Sequence, residues 1–146
     1  EWYAQCLHGL SYLHYRGIVH CDMKPGNLLL ASDNRLLQIG DLGSAMLLPG
    51  LGPHPSRKSF VKCAPCTAVY CGPEVLSNET YYTASDVWSV GMSFFEVLTA
   101  QTLFPADAPQ HELTELAASF DPKARDSLKV LREACIVEGA ARQPPA

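Results

Sequence analysis

The chain has no apolar run approaching the ~18 residues a helix needs to cross a bilayer, so no membrane-spanning helix is expected. Basic residues are scarce. The 11 Lys and Arg against 15 Asp and Glu leave a net charge of −4, which offers no positive footprint for nucleic acid. No secretory leader and no internal repeat are visible. The 6 cysteines show no framework of matched spacings, which argues against a disulfide-stapled secreted domain. They point instead to a reducing, intracellular compartment, the cytoplasm first and the nucleus as the alternative. Cys63 and Cys66 form a single CxxC, but no second ligand pair lies at finger-like spacing, so a zinc or redox reading is set aside. What remains is one domain's worth of chain, 146 residues with 47% hydrophobic content, enough for a packed core.

Apolar periodicity divides the chain. Tyr3, Cys6, Leu7, Leu10 and Leu13 recur at helical spacing over 2–15, and Gly17 is placed to end that helix. A loop broken by Pro25 follows. Residues 28–31 and 36–39 read as two short strands around an Asp-Asn turn. Residues 46–66 are rich in Pro and Gly without periodicity, as in a mobile connecting segment. Within it, Arg57, Lys58 and Lys62 lie near Ser56 and Ser59, either as a solvated loop or as a segment controlled by phosphorylation. Residues 86–100 are apolar on nearly every face, which predicts a helix buried on all sides. Two more amphipathic helices are expected over 110–119 and 122–137.

Two motifs carry the chemistry. HCDMKPGNLLL at 20–30 has the pattern His-x-Asp-x-Lys-x-x-Asn before an apolar run, and IGDLGSA at 39–45 places Asp-x-Gly after one. Asp22, Asn27 and Asp41 could each be ordinary turn or cap residues. Their joint spacing with Lys24 and Thr67 argues for more. Together these motifs resemble the catalytic loop and metal-binding motif of eukaryotic-type Ser/Thr protein kinases. Three later blocks keep the family order: CTAVYCGPEVL at 66–76, SDVWSVGMSFFEVLTAQTLF at 85–104, and EGAARQP at 138–144.

The resemblance implies specific roles. Asp22 orients the acceptor hydroxyl and takes its proton, and Lys24 neutralises the transferred phosphate, a pairing typical of Ser or Thr acceptors. Asn27 and Asp41 hold Mg2+ beside ATP through oxygen ligands, and Leu29 packs beneath the adenine ring. Thr67 binds Asp22 and Lys24 in the substrate segment. His20, Leu42 and Gly43 are structural around the metal motif. Asp86 anchors the catalytic-loop backbone, and Glu74 pairs with Arg142.

Departures accompany these matches. Cys21 stands where the family has an Arg that grips a phosphorylated segment, so dependence on such phosphorylation is in doubt. Leu42 replaces Phe, Gly72 replaces Ala with added backbone freedom, and Cys66 replaces Gly. No glycine-rich phosphate loop or Val-Ala-Ile-Lys-like strand is present. The reading is therefore a mainly α part of an α+β kinase fold: the helical large lobe with a short β-hairpin at the nucleotide cleft, the small lobe absent. It assigns 1–146 to a partial kinase domain, with catalytic loop 20–27, activation segment 41–74 and remaining helical lobe 75–146. The expected activity of the parent protein is transfer of the ATP γ-phosphate to Ser or Thr of protein substrates, with the fragment alone inactive. The alternatives are a pseudokinase acting as a binding or scaffolding module, and a short non-catalytic interaction fragment.

Overall fold

A computed structural model of the chain describes residues 1–49, 59–62 and 65–120. The first helix, α1 (Trp2–Tyr15), buries Cys6 and Leu10 one helical turn apart. It stops where Gly17 takes a left-handed φ of 71° and donates its N–H to His14 O at 2.9 Å. Tyr3, grouped with the core by periodicity, is instead 46% exposed and meets Phe94 edge-on at the rim.

Three small antiparallel pairs follow. β1 (Ile18–Val19) pairs with β4 (Met46–Leu47), and β5 (Val61–Lys62) pairs with β6 (Thr80–Tyr81). Between them, β2 (Leu28–Leu30) and β3 (Leu37–Ile39) form the hairpin that the two short runs around Asp-Asn predict, each one residue shorter than expected. Asn34 closes its turn with a φ of 55° and an N–H to Ala31 O at 2.8 Å. The segment 46–66, expected to be mobile throughout, is held at its described ends by β4 and β5. Two-residue bridges leave no periodic trace, and their partners lie far along the chain.

The remaining helices are α2 (Pro73–Asn78), started by Pro73 at its first position, α3 (Thr83–Thr99) and α4 (Gln110–Ser119). The expectation that α3 is buried on all sides does not hold, because Val87, Val97 and Leu98 are 42–55% exposed. Its buried face instead carries Ser85, Ser89 and Ser93 at four-residue intervals. Ser89 donates its hydroxyl to Ser85 O at 3.0 Å and Ser93 to Ser89 O at 2.7 Å. The Ser89 and Ser93 hydroxyls are thus satisfied within the helix and that of Ser85 by Glu74, and small side chains let neighbouring backbones come close. Polarity on α3 marks close approach rather than solvent.

Two cores flank α3. One gathers Cys6, Leu10, Met23, Leu37, Val90 and Phe94 between α1, the hairpin and α3. The other joins Val19, Cys71, Val75, Tyr81, Met92 and Leu113 with their neighbours. Among the described residues no helix is long and apolar enough to cross a membrane. The helix expected over 122–137 and Arg142 lie outside the described residues.

Leu10 is 1% exposed, so Leu10→Ala should cost about 2–5 kcal/mol. Tyr3→Ala at the rim should cost clearly less. Urea unfolding midpoints of the two variants in the full-length protein check this order.

Candidate functional site

Asp86, in the first turn of α3, is wholly buried. Its carboxylate accepts the backbone N–H of His20 at 2.9 Å and of Cys21 at 3.0 Å. The Nε2–H of His14, at the end of α1, donates to it at 2.8 Å. Burying a carboxylate is costly without donors, and this one has three. Cys21 needs the support: its φ of 68° is rare for a residue with a Cβ and costs on the order of 1–3 kcal/mol. Asp86 therefore holds the bend that turns the next residue, Asp22, towards the surface.

At Asp22 three segments meet. Lys24 Nζ donates to Asp22 Oδ2 at 2.6 Å and to Thr67 Oγ1 at 3.1 Å. Thr67 donates both its N–H, at 2.9 Å, and its hydroxyl, at 2.8 Å, to Asp22 Oδ1. Partial burial alone raises the Asp22 carboxyl. The Lys24 ammonium and the Thr67 hydroxyl and amide outweigh it, holding the group below its ordinary value. This cluster is a carboxylate with its charge pinned beside a lysine.

The polar edge continues through Asn27 and Asp41. Asn27 is 6% exposed, and its Nδ2 donates to Asp22 O at 2.7 Å, which turns the amide so that its carbonyl oxygen is the end left to accept. Gly40 N–H donates to Asn27 O at 2.8 Å, joining the start of β2 to the end of β3. Asp41 follows directly, exposed, with a left-handed φ of 53° and with its Oδ1 taking the Gly43 N–H at 3.2 Å. Among the described residues no group of three or more His, Cys, Asp or Glu is built to cage a metal ion. One amide oxygen and one carboxylate suit magnesium, which keeps several waters and phosphate oxygens as its other ligands.

The other expected site residues surround this edge. His20 is fully buried with Nε2 2.9 Å from Gly40 O, between the Asp86 anchor and the residue before Asp41. Leu29 and Leu42 are each 52% exposed on the hairpin side. Glu74 accepts the Ser85 hydroxyl; its expected partner, Arg142, is outside the described residues, as is Cys63. Gly72 differs from expectation in its reason. Its φ of −73° is open to any residue, but an added Cβ would come 2.8 Å from the Glu74 carboxylate, so close approach rather than backbone freedom suits a glycine.

Sequence reasoning missed His14, Ser85, Cys71 and the Gly40 backbone. For His14 a signal existed: it lies four residues beyond the buried Leu10 on the same face of α1, a polar group extending an apolar stripe. Ser85 and the Gly40 backbone act through contacts between separate elements and Cys71 meets Cys66 across a short turn, none of which a local pattern announces.

The family model described as protein kinase domain matches residues 1–135. The chain belongs to the protein kinase family. This kinase is similar to protein kinase gsk3 of Schizosaccharomyces pombe (strain 972 / ATCC 24843), 34% identical over 128 residues. That match covers 87% of the kinase chain and 31% of the relative, so the chain spans about a third of that protein's length.

Asp86→Ala strands two buried backbone N–H groups and should destabilise this kinase by about 2–5 kcal/mol. Asp86→Asn, which keeps one accepting oxygen, should fall between it and the wild type. Thermal unfolding of the full-length proteins measures both.

Proposed function

We propose that the full-length protein is a protein serine/threonine kinase that transfers the γ-phosphate of ATP to Ser or Thr hydroxyls of protein substrates. The observation that carries this is the closed Asp22–Lys24–Thr67 arrangement. It joins a carboxylate kept ionised, a cation and a hydroxyl from a distant segment.

Asp22 is the group that orients the acceptor hydroxyl and receives its proton. A depressed carboxyl is a weak base in the resting enzyme, which suits a reaction whose transition state is largely dissociative. The hydroxyl then needs alignment before it needs deprotonation. Lys24 balances charge on the transferred group, and Thr67 holds both side chains in register with the substrate segment. Asn27 and Asp41 are the residues to hold Mg2+. Magnesium held by them would neutralise phosphate charge. The αL backbone of Asp41 and the Gly43 N–H fix where its carboxylate stands, and the Asn27 bond to Asp22 O ties this edge to the catalytic loop. Leu29 serves the adenine. His20 and Asp86 hold the loop from below, with Leu42 and Gly43 as structural parts of the metal motif.

We read the chain as the helical large lobe, with catalytic loop 20–27, activation segment 41–74 and remaining lobe 75–146. The nucleotide-covering small lobe is supplied elsewhere in the same protein. Exposed Leu29, Leu30, Leu36, Leu42 and Leu47 support this, since such apolar side chains gather where another element docks. The share of the relative's length that is matched agrees with it. Residues 1–146 alone are therefore expected to transfer no phosphate.

The test is transfer from γ-labelled ATP with magnesium to a Ser/Thr/Tyr peptide library by the full-length protein. Asp22→Asn should lower kcat by roughly 10²–10⁴-fold, with product on Ser and Thr. Chelating the magnesium should abolish transfer. Nucleotide binding without transfer, in a folded protein, would sink this reading in favour of a pseudokinase. Thr67→Val should reduce kcat as well as affinity for peptide, because it removes a hydroxyl bond to Asp22; steady-state kinetics separates the two.

A further inference from the structure

Cysteines lie directly behind the Asp22–Thr67 contact, and the proposed phosphoryl chemistry uses none of them. Cys71 and Cys21 belong to one core, with Cys66 packed against it. The sulfurs of Cys66 and Cys71 are 2.7 Å apart, which is within about 0.7 Å of the ~2.05 Å length of a disulfide bond. The two residues flank a 3-10 turn, Ala68–Tyr70, that brings their side chains to the same side. Cys71 Sγ also lies 3.4 Å from Thr67 O, so its thiol is aimed into the loop rather than away from it.

Access differs between the two. Cys66 lines a cleft of about 350 Å³ with Pro65, Ala68, Val75 and Tyr81, whereas Cys71 is 2% exposed. Their acidities differ in the same sense. The hydrogen bond from the Cys71 thiol lowers Cys66, against burial and the nearby Asp22 charge. That bond and burial push Cys71 upward. Thiolate character and exposure together govern attack on a peroxide. Cys66 is the more exposed and the more acidic of the two, and Cys71 lies beside it. Cys21, wholly buried, with burial and Asp86 pushing its thiol up to about 12, is a bystander.

We propose that Cys66 and Cys71 form an intramolecular dithiol that a small hydroperoxide oxidises reversibly to a disulfide. The Cys66 thiolate attacks one peroxide oxygen, the O–O bond breaks, and hydroxide leaves for hydrogen peroxide, giving Cys66 sulfenic acid. The Cys71 sulfur then attacks the Cys66 sulfur. An S–S bond forms, the S–O bond breaks, and the Cys71 proton leaves with the hydroxyl as water. Two thiols are oxidised by two electrons, and one peroxide is reduced to two molecules of water. The reverse reaction needs a dithiol reductant. The bond closes a ring over 66–71, the segment that presents Thr67 to Asp22, so oxidation stiffens that segment.

The test treats the full-length, folded protein with hydrogen peroxide, blocks remaining thiols with N-ethylmaleimide, and maps the cysteines by tandem mass spectrometry. The readout is independent of kinase activity. The expected result is a Cys66–Cys71 link two hydrogens lighter than the reduced pair, with Cys6 and Cys21 still alkylated after unfolding, and recovery of both thiols with dithiothreitol. In Cys71→Ala, Cys66 should stop at the sulfenic acid and be trapped by dimedone. The proposal is overturned if wild-type Cys66 and Cys71 both stay reduced while glutathione in the same tube is oxidised. A link from Cys66 to any other cysteine, or Cys66 carried to the sulfinic acid without a link, overturns it equally.

Discussion

A single buried carboxylate organises this protein. Asp86 accepts two backbone amides from the bend at residues 20 and 21 and the ring N–H of His14. It lies on α3 between the two cores, so the end of α1, the start of α3 and the bend cannot shift independently. The donors offset the desolvation of the carboxylate, and the carboxylate in turn holds Cys21 in a left-handed conformation it would not keep alone. That bend sets the direction of Asp22, and with it the rest of the polar edge.

On that base stands a contact between segments more than 40 residues apart, with Thr67 bonded to Asp22 across a separation of 45 positions. Its strength comes from charge. A lysine and a carboxylate at 2.6 Å, both only partly exposed, polarise the Thr67 hydroxyl between them. The segment around Thr67 is therefore tied to the loop at 20–27, with a cysteine at position 21. The sulfurs of Cys21, Cys66 and Cys71 lie around the contact.

The polar edge joins residues that the motifs single out. Asp22, Lys24, Asn27 and Asp41 are read from spacing, because loop chemistry needs those side chains at those intervals whatever surrounds them. Helix α1 and the β2–β3 hairpin were also readable, since periodicity and turn residues act locally. Helix α3 was misread in character. Its apolar composition suggested burial on every side, but the face that packs closely is the one with three serines, two of whose hydroxyls bond back along the helix while the third reaches Glu74.

The amino-acid sequence by itself determined the element types around the loops, the identity of the polar side chains at the edge, and membership of the protein kinase family. These depend on interactions within a few residues or on motif order. Only the tertiary structure decided that His14 reaches Asp86, that Gly40 joins His20 to Asn27, and that Ser85 reaches Glu74. Each of these is a contact whose partner, orientation or burial depends on how separate segments pack. No local pattern encodes a distance of that kind.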